Sequence, residues 1–420
     1  MYFMLEFVFW TASALVVYAY VIYPILILQI SRTPTDAATA DRIFSEVEMP
    51  SVTVIVSAYN EEIHIAARIQ NLLEQDYPAD SITILIGSDG SSDQTVEIAR
   101  KFSDRRLTVL AFESNRGKAS VLNDCVAQSN SKVLVFTDAN TVFKRDTVRK
   151  LVAALDDNTA AACGELILQA PDRGHNVDHG YWSIERRLKA AESSVGGLIG
   201  ANGGVYAIRR DCFQLLRPDT IIDDFVIAMN IAVARKGLRY VPAAIAYEDT
   251  PGDVIDEYHR RVRIGIGNYQ ALFRHPQYLF DGPLVLRFTY FSHKVLRWLT
   301  PHLLLVAFIC SLALMQNDPF YGIAAIMQMS GYLAALVLFM TRNFIPWPRL
   351  FISAMFFAVL NWAFLVGFKR YLFADYRGSW RRTERTRISL YAGFIIETSS
   401  SFQTGAPPIK ARDCVPQIVF

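Results

Sequence analysis

Cysteine is scarce. The chain of 420 residues has five, Cys125, Cys163, Cys212, Cys310 and Cys414, and no two stand close together. A metal site needs clustered ligands, and a disulfide framework needs more cysteines in a shorter chain. These five therefore read as reduced structural thiols. An excess of one charge is also missing: 42 Lys and Arg stand against 40 Asp and Glu, a formal net charge of +2. That balance implies no nucleic acid or other polyanion as partner. Internal repeats and low-complexity segments are absent too. What the chain has in excess is apolar side chains, 52% of all residues. That is above the usual range for a soluble protein, and the excess is gathered at the two ends.

Phe7 to Ile30 carries no charged side chain, a run long enough to cross a hydrocarbon core of roughly 30 Å as a helix. No basic region precedes it and no small-residue cleavage site follows, which argues against a signal peptide. Tyr18, Tyr20 and Tyr23 suit an interfacial end. The reading is an N-terminal transmembrane helix over 1–31, then a polar linker over 32–50. Near the other end, 300–315, 321–340 and 350–368 are apolar, giving a transmembrane region over 300–373 of about three helices. Before it, 283–299 mixes apolar residues with Arg287, His293, Lys294 and Arg297, as a helix lying in the interface does. A polar tail over 374–420 begins with Arg377, Arg381, Arg382, Arg385 and Arg387. If the middle of the chain faces the cytoplasm, three later spans leave this tail outside, against the positive-inside rule. Either one stretch is interfacial or re-entrant, or the tail breaks the rule.

The middle, 51–275, has a different pattern. Short β-branched runs at Val52–Val56, Ile82–Ile86, Leu107–Ala111 and Lys132–Phe136 alternate with helical periodicity at Ile63–Leu73, Asp93–Phe102, Lys118–Gln128 and Asp146–Leu155. Strands alternating with helices imply parallel crossovers and a doubly wound α/β sheet. Ligands bind such sheets at the carboxyl ends of the strands. Polar and acidic residues stand at three of those ends: Ser57-Ala-Tyr-Asn-Glu-Glu62, Gly87-Ser-Asp-Gly-Ser-Ser-Asp93 and Phe136-Thr-Asp-Ala-Asn140. Each has a plainer reading as a turn, and Asp93 as a helix cap. Asp138 and Asn140, two apart on an extended segment, point the same way and offer oxygen to a hard divalent cation. Lys118, at a helix start, suits phosphates or solvent alike.

These motifs, in this order, resemble those of membrane-bound family 2 glycosyltransferases with the GT-A fold, related to hyaluronan, chitin and cellulose synthases. The resemblance runs from about Pro50 to Gln270. It implies a GT-A, Rossmann-like catalytic domain that moves a sugar from a UDP-sugar to a membrane-associated acceptor with inversion, using Mg²⁺ or Mn²⁺. It implies that Ser57 is among the donor-binding residues, that Tyr59 and Glu61 line the base and ribose and that Asp89 accepts a hydrogen bond from the uracil. Asp138 and Asn140 hold the metal, and Lys118, Arg261 and Arg263 meet the diphosphate. Ile222-Asp-Asp-Phe225 matches the Thr-Glu-Asp motif and makes Asp224 the general base. Gly203, Gly204, Asp223 and Ile264 fall on the acceptor side. In Arg260-Arg-Val-Arg-Ile264, which resembles the QxxRW segment, Arg260 replaces Gln and Ile264 replaces Trp. Loss of that sugar-stacking ring favours addition of one or few sugars over processive synthesis with export, although Tyr269 and Trp182 offer other aromatic surfaces. The expected partners are the nucleotide sugar, a lipid-linked or growing glycan acceptor and membrane lipids, with the catalytic domain facing the cytoplasm from a plasma or inner membrane. A catalytically silent scaffold or receptor of the same fold is the rival of another class.

Overall fold

A computed structural model describes residues 1–31, 49–169, 179–249, 254–342, 344–345 and 347–373. Nearly all of the linker, the tail over 374–420 and Cys414 lie outside them. β1 (Val52–Ala58), β2 (Ile82–Asp89) and β4 (Val133–Asp138) are buried almost throughout. Helices cover both faces of the sheet, which is why these strands read as continuous apolar runs. β3 (Leu107–Phe112), at the sheet's edge, is more open. With β5 (Thr141–Phe143), β6 (Ala161–Gln169), β7 (Tyr206–Arg209) and β8 (Leu238–Asp249) they form one eight-stranded sheet, ordered β3-β2-β1-β4-β7-β6-β8-β5. β1 to β4 run parallel. β7 runs antiparallel to β4 and to β6, and β5 to β8. The doubly wound expectation thus holds for the first four strands, while the whole sheet is mixed. β2 and β3 lie on one side of β1 and β4 on the other, so the order reverses at β1, and a binding crevice opens at such a reversal.

Helix α1 spans Tyr2–Ile30. The inner sides of α2 (Ile65–Leu73), α3 (Thr95–Arg100) and α5 (Thr147–Ala153) pack on Val52, Val54 and Val56. Helices α4 (Lys118–Gln128) and α7 (Asp223–Val233) pack on Ile55, Leu134 and Phe136 from the other face. This split follows the two-residue alternation of a strand.

Helix α6 spans His179–Ser194 and α8 Val254–Arg274. A short α9 (Gln277–Phe280) precedes α10 (Leu284–Leu314), α11 (Pro319–Thr341) and α12 (Arg349–Phe373). Among the described residues four helices are long and apolar enough to cross a membrane: α1, α10, α11 and most of α12. Helix α1 widens into a π turn at Tyr18–Ile22, just before Pro24. A proline lacks the N–H and crowds the carbonyl four residues back, and a π turn accommodates both. The segment 283–299, expected to lie in the interface, runs unbroken through a second π turn, Tyr290–Val295, into 300–314. Its polar residues find protein partners. Arg297 Nη1 donates to Glu185 Oε1 at 2.6 Å, and His293 Nδ1 lies 2.5 Å from Glu192 Oε1.

Helix α8 joins the sheet domain to the apolar helices. A side chain on Gly367 of α12 would place its Cβ 3.1 Å from the backbone of Gly265 of α8. Glycine at both positions permits that approach.

Candidate active site

The loops after β1 and β2 interlock. Asn60, at φ 55°, takes the left-handed conformation that Asn tolerates better than most residues. Its Oδ1 accepts from Ser92 N at 2.8 Å, and its own N–H donates to Ser91 Oγ at 3.1 Å. Glu62 N donates to Asp93 Oδ2 at 3.1 Å, and Thr95 N to Asp93 Oδ1 at 3.0 Å. Asp93 thus fastens one loop to the next just before α3; the N-cap position expected of it falls on Gln94. Glu61 Oε2 lies 2.9 Å from His64 Nδ1. Tyr59 is half-buried in the same loop. Ser57 is buried, and its hydroxyl has no hydrogen-bond partner among the described residues.

Asp89, expected to meet a uracil, is 2% exposed. Its Oδ1 accepts from Arg116 N at 2.7 Å and its Oδ2 from Gly117 N at 2.9 Å. The carboxylate ties down the loop that delivers Lys118, and each oxygen keeps a further lone pair.

Lys118 lies among acids. Its Nζ donates to Asp138 Oδ1 at 2.8 Å and stands 3.4 Å from Asp223 Oδ2. Burial alone would depress this ammonium, but Asp138 and Asp223 outweigh it and hold it above its ordinary value. Asp223 Oδ2 is buried and accepts no hydrogen bond among the described residues. Burial raises the Asp223 carboxyl, against the pull of Lys118. Asp224 is pushed up to about 6, first by burial and then by Asp223. It remains half-exposed, so an incoming group can reach it. A half-exposed carboxyl with proton affinity near neutrality is suited to act as a base.

The glycine loop closes on this base. A side chain on Gly203 would place its Cβ 3.1 Å from Asp224 Oδ2, and one on Gly204 3.0 Å from Thr141 Oγ1. Below them is a residue the motif reading passed over. Arg68 is fully buried, with Nη2 donating to Thr137 Oγ1 and Nη1 to Asn71 Oδ1, both at 2.6 Å. Thr137 in turn donates to Gly204 O at 2.7 Å. Arg68 therefore braces the residue before Asp138 and the glycine loop together. A signal was present: it sits between Ile65, Ile69 and Leu72 on the apolar face of α2.

Helix α8 holds the loop leading to Asp223 and Asp224. Gln270 Oε1 accepts from Ile221 N at 3.1 Å, its Nε2 donates to Asp219 O at 2.9 Å, and Arg274 Nη1 binds Asp219 Oδ1 at 2.8 Å. The two arginines expected to clamp a diphosphate lie on this helix. Arg261 Nε pairs with Glu257 Oε1 at 2.5 Å, one turn away, while Arg263 is exposed. Residues two apart on a helix face different ways. Ile264 is half-buried on the same helix. Tyr269 is buried with its hydroxyl on Trp298 O at 2.7 Å, so it offers no stacking surface; the side chain of Trp182 is outside those described.

Asp138 and Asn140 do not lie on one extended segment as expected. Residues 139 and 140 form a turn, because the chain leaves β4 there for β5 at the far edge of the sheet. Among the described residues no three acidic, histidine or cysteine side chains converge as a ready-made metal cage. The donor set nonetheless fits a hard cation that takes one or two carboxylates and completes its shell with substrate phosphate and water. Asp138 and Asn140 supply oxygens. Lys118 Nζ pairs with both Asp138 Oδ1 and Asp223 Oδ2, and the raised Asp224 carboxyl beside them expresses the surplus of negative charge. A cavity of about 580 Å³ lined by Lys132, Asp156 and Arg210 lies at the opposite, amino ends of β1 and β4, and takes no part in this site.

Residues 53–215 match the model of glycosyl transferase family 2. The chain is 26% identical over 245 residues to a probable glycosyltransferase, YdaM, of Bacillus subtilis, covering 54% of this chain and 57% of that one. It is 23% identical over 235 residues to a poly-β-1,6-N-acetyl-D-glucosamine synthase of Staphylococcus epidermidis, with the same coverage. The chain thus spans little more than half the length of these curated relatives. In fold it is similar to a mannosyltransferase of Pyrobaculum calidifontis solved with GDP-mannose and Mn²⁺. The TM-score is 0.66 at 21% identity, over 88% of this chain and 99% of that one.

Proposed function

Because the chain carries a family 2 glycosyltransferase domain on the GT-A fold, we propose that it is a membrane-embedded, inverting glycosyltransferase using a UDP-sugar. The observation that carries this reading is Asp224, a half-exposed carboxyl pushed up to about 6 beside the glycine loop. The acceptor hydroxyl enters over Gly203 and Gly204, and Asp224 takes its proton as the oxygen attacks the anomeric carbon. With Asp224 acting as a base on the acceptor and not as a nucleophile on the sugar, the transfer is a single displacement and inverts configuration. Tyr59 and Asp89 hold the uracil, the latter through its remaining lone pairs. Asp138 and Asn140 hold Mg²⁺ or Mn²⁺, which when bound neutralises charge on the departing diphosphate. Lys118 shares its charge between these acids and the phosphates. Arg68 keeps the strand end and the glycine loop in register.

The relatives' names favour N-acetylglucosamine as the sugar. The same names support processive synthesis as a second reading; Ile264 in place of a stacking Trp favours addition of one or few sugars to a lipid-linked or glycan acceptor. The four apolar helices hold the domain at a membrane, with the site on the cytoplasmic side where nucleotide sugars are made. The deciding experiment incubates native membranes bearing the protein with a panel of radiolabelled nucleotide sugars. The expected result is label from UDP-N-acetylglucosamine in a short, membrane-extractable product. Absence of transfer from every donor overturns the enzyme reading, and a ladder of long polymer overturns the short-product one.

A further inference from the structure

Residue 140 is an amide, which can offer a cation an oxygen but no charge, and the structure shows what stands beside it. β5 pairs with β8 so that Thr141 lies opposite Glu248. Asn140, one residue earlier, donates from Nδ2 to Glu248 Oε1 at 3.2 Å. A carboxylate offers only acceptors, whereas an amide has one end of each kind. Glu248 therefore takes the nitrogen end, and the oxygen end of Asn140 is turned away from it. Asn140 is 9% exposed, so a flipped amide would set two oxygens against each other with little water to separate them. A hard cation needs the oxygen end.

Resting on the metal-dependent reading above, we propose that Glu248 is a positioning residue for the cation. It fixes the Asn140 amide with Oδ1 toward the metal. It also carries, one step back from the ion, the negative charge that residue 140 lacks. Outer partners of this kind tune metal affinity as well as geometry.

The test reads metal binding rather than turnover. Detergent-solubilised full-length protein is titrated with Mn²⁺ in the presence of UDP, and in parallel GDP, and free Mn²⁺ is followed by electron paramagnetic resonance. Glu248→Gln can present either end to Asn140 and removes the charge; Mn²⁺ affinity falls by about 10-fold or more. Asn140→Asp in the Glu248→Gln background returns the charge to residue 140 and restores affinity to within about threefold of wild type. A general loss of structure in Glu248→Gln is not rescued by that second change, which separates orientation of the ligand from mere packing. Wild-type affinity in Glu248→Gln, or a double variant no better than Glu248→Gln, overturns this inference and leaves the metal reading standing. Failure of the wild type to take up Mn²⁺ with either nucleotide overturns both.

Discussion

The two sides of the crevice treat their carboxylates in opposite ways. Beside β1 and β2, Asp89 has both oxygens on backbone amides, Asp93 fastens Glu62 and Thr95, and Glu61 is held by His64. At the start of α7, Asp223 Oδ2 meets the Lys118 ammonium at 3.4 Å, Asp224 Oδ1 accepts from Phe225 N at 2.8 Å, and burial nevertheless raises both carboxyls, that of Asp224 to about 6. A satisfied carboxylate holds a loop in shape. One raised by burial and by a neighbouring acid retains affinity for a proton or a cation. The donor side is thus built as a mould and the base side as a reagent, and Lys118, reaching from one to the other, ties their charges together.

The sharpest way to break this contrast is at Asp224. Asp224→Asn keeps the shape and removes the proton affinity. Transfer falls by about 10²-fold or more, while UDP binding, measured by calorimetry, stays within a few-fold of wild type. Wild-type transfer in this variant would remove the base from the mechanism.

Acidity probes the same group without mutation. Its carboxyl is raised by burial and by Asp223, so the proton is retained to higher pH than in an ordinary aspartate, and the base form is lost as pH falls through about 6. Transfer then declines by about 10-fold for each further pH unit. Lys118 opposes the rise, so Lys118→Met moves the acid limb to higher pH. A limb that stays put in Lys118→Met would show that the two sides are not electrostatically joined. Gly203→Ala has a smaller effect. Its methyl stands 3.1 Å from Asp224 Oδ2, and misplacing a reacting group costs rate. A loss of several-fold, about 10-fold at most, is expected in transfer, with the acid limb unchanged. Full activity would place the acceptor's entry elsewhere than the glycine loop.

Much of the donor side was legible because turn chemistry is local. Asp89, Asp93 and Lys118 stand at strand and helix ends that hydrophobic periodicity marks out, and α4 falls on Lys118–Gln128 as read. What stayed hidden depends on contacts distant in sequence. Glu248 meets Asn140 only because β8 pairs with β5 across 108 positions. Arg261 and Arg263 share a motif but separate on α8, where Glu257 claims one and the other is exposed. The segment 283–299 reads as interfacial because its charges have no visible partners in sequence. Those partners lie on α6, 101 and 112 residues back. Arg68 was legible in principle, since an arginine on an apolar helix face needs partners when buried.

The smallest expected effect on chemistry comes from a carboxylate on the mould side. Asp93 accepts from Glu62 N, Thr95 N and Thr95 Oγ1, and all three contacts are internal to the interlocked loops. Asp93→Ala strands these donors at the start of α3. The cost is on the order of 1–2 kcal/mol of stability, read as a lowered unfolding temperature of the solubilised protein. Transfer per folded molecule stays within about twofold, because Asp93 acts through loop shape and the loop retains the contacts of Asn60 with Ser91 and Ser92. Asp93→Asn separates shape from charge: an asparagine oxygen also accepts hydrogen bonds, so it recovers most of the stability. The opposite pattern, unchanged unfolding with a 10-fold loss of transfer in both variants, would move Asp93 from the mould to the reagent. The two sides of the crevice would then differ in degree of burial and not in kind.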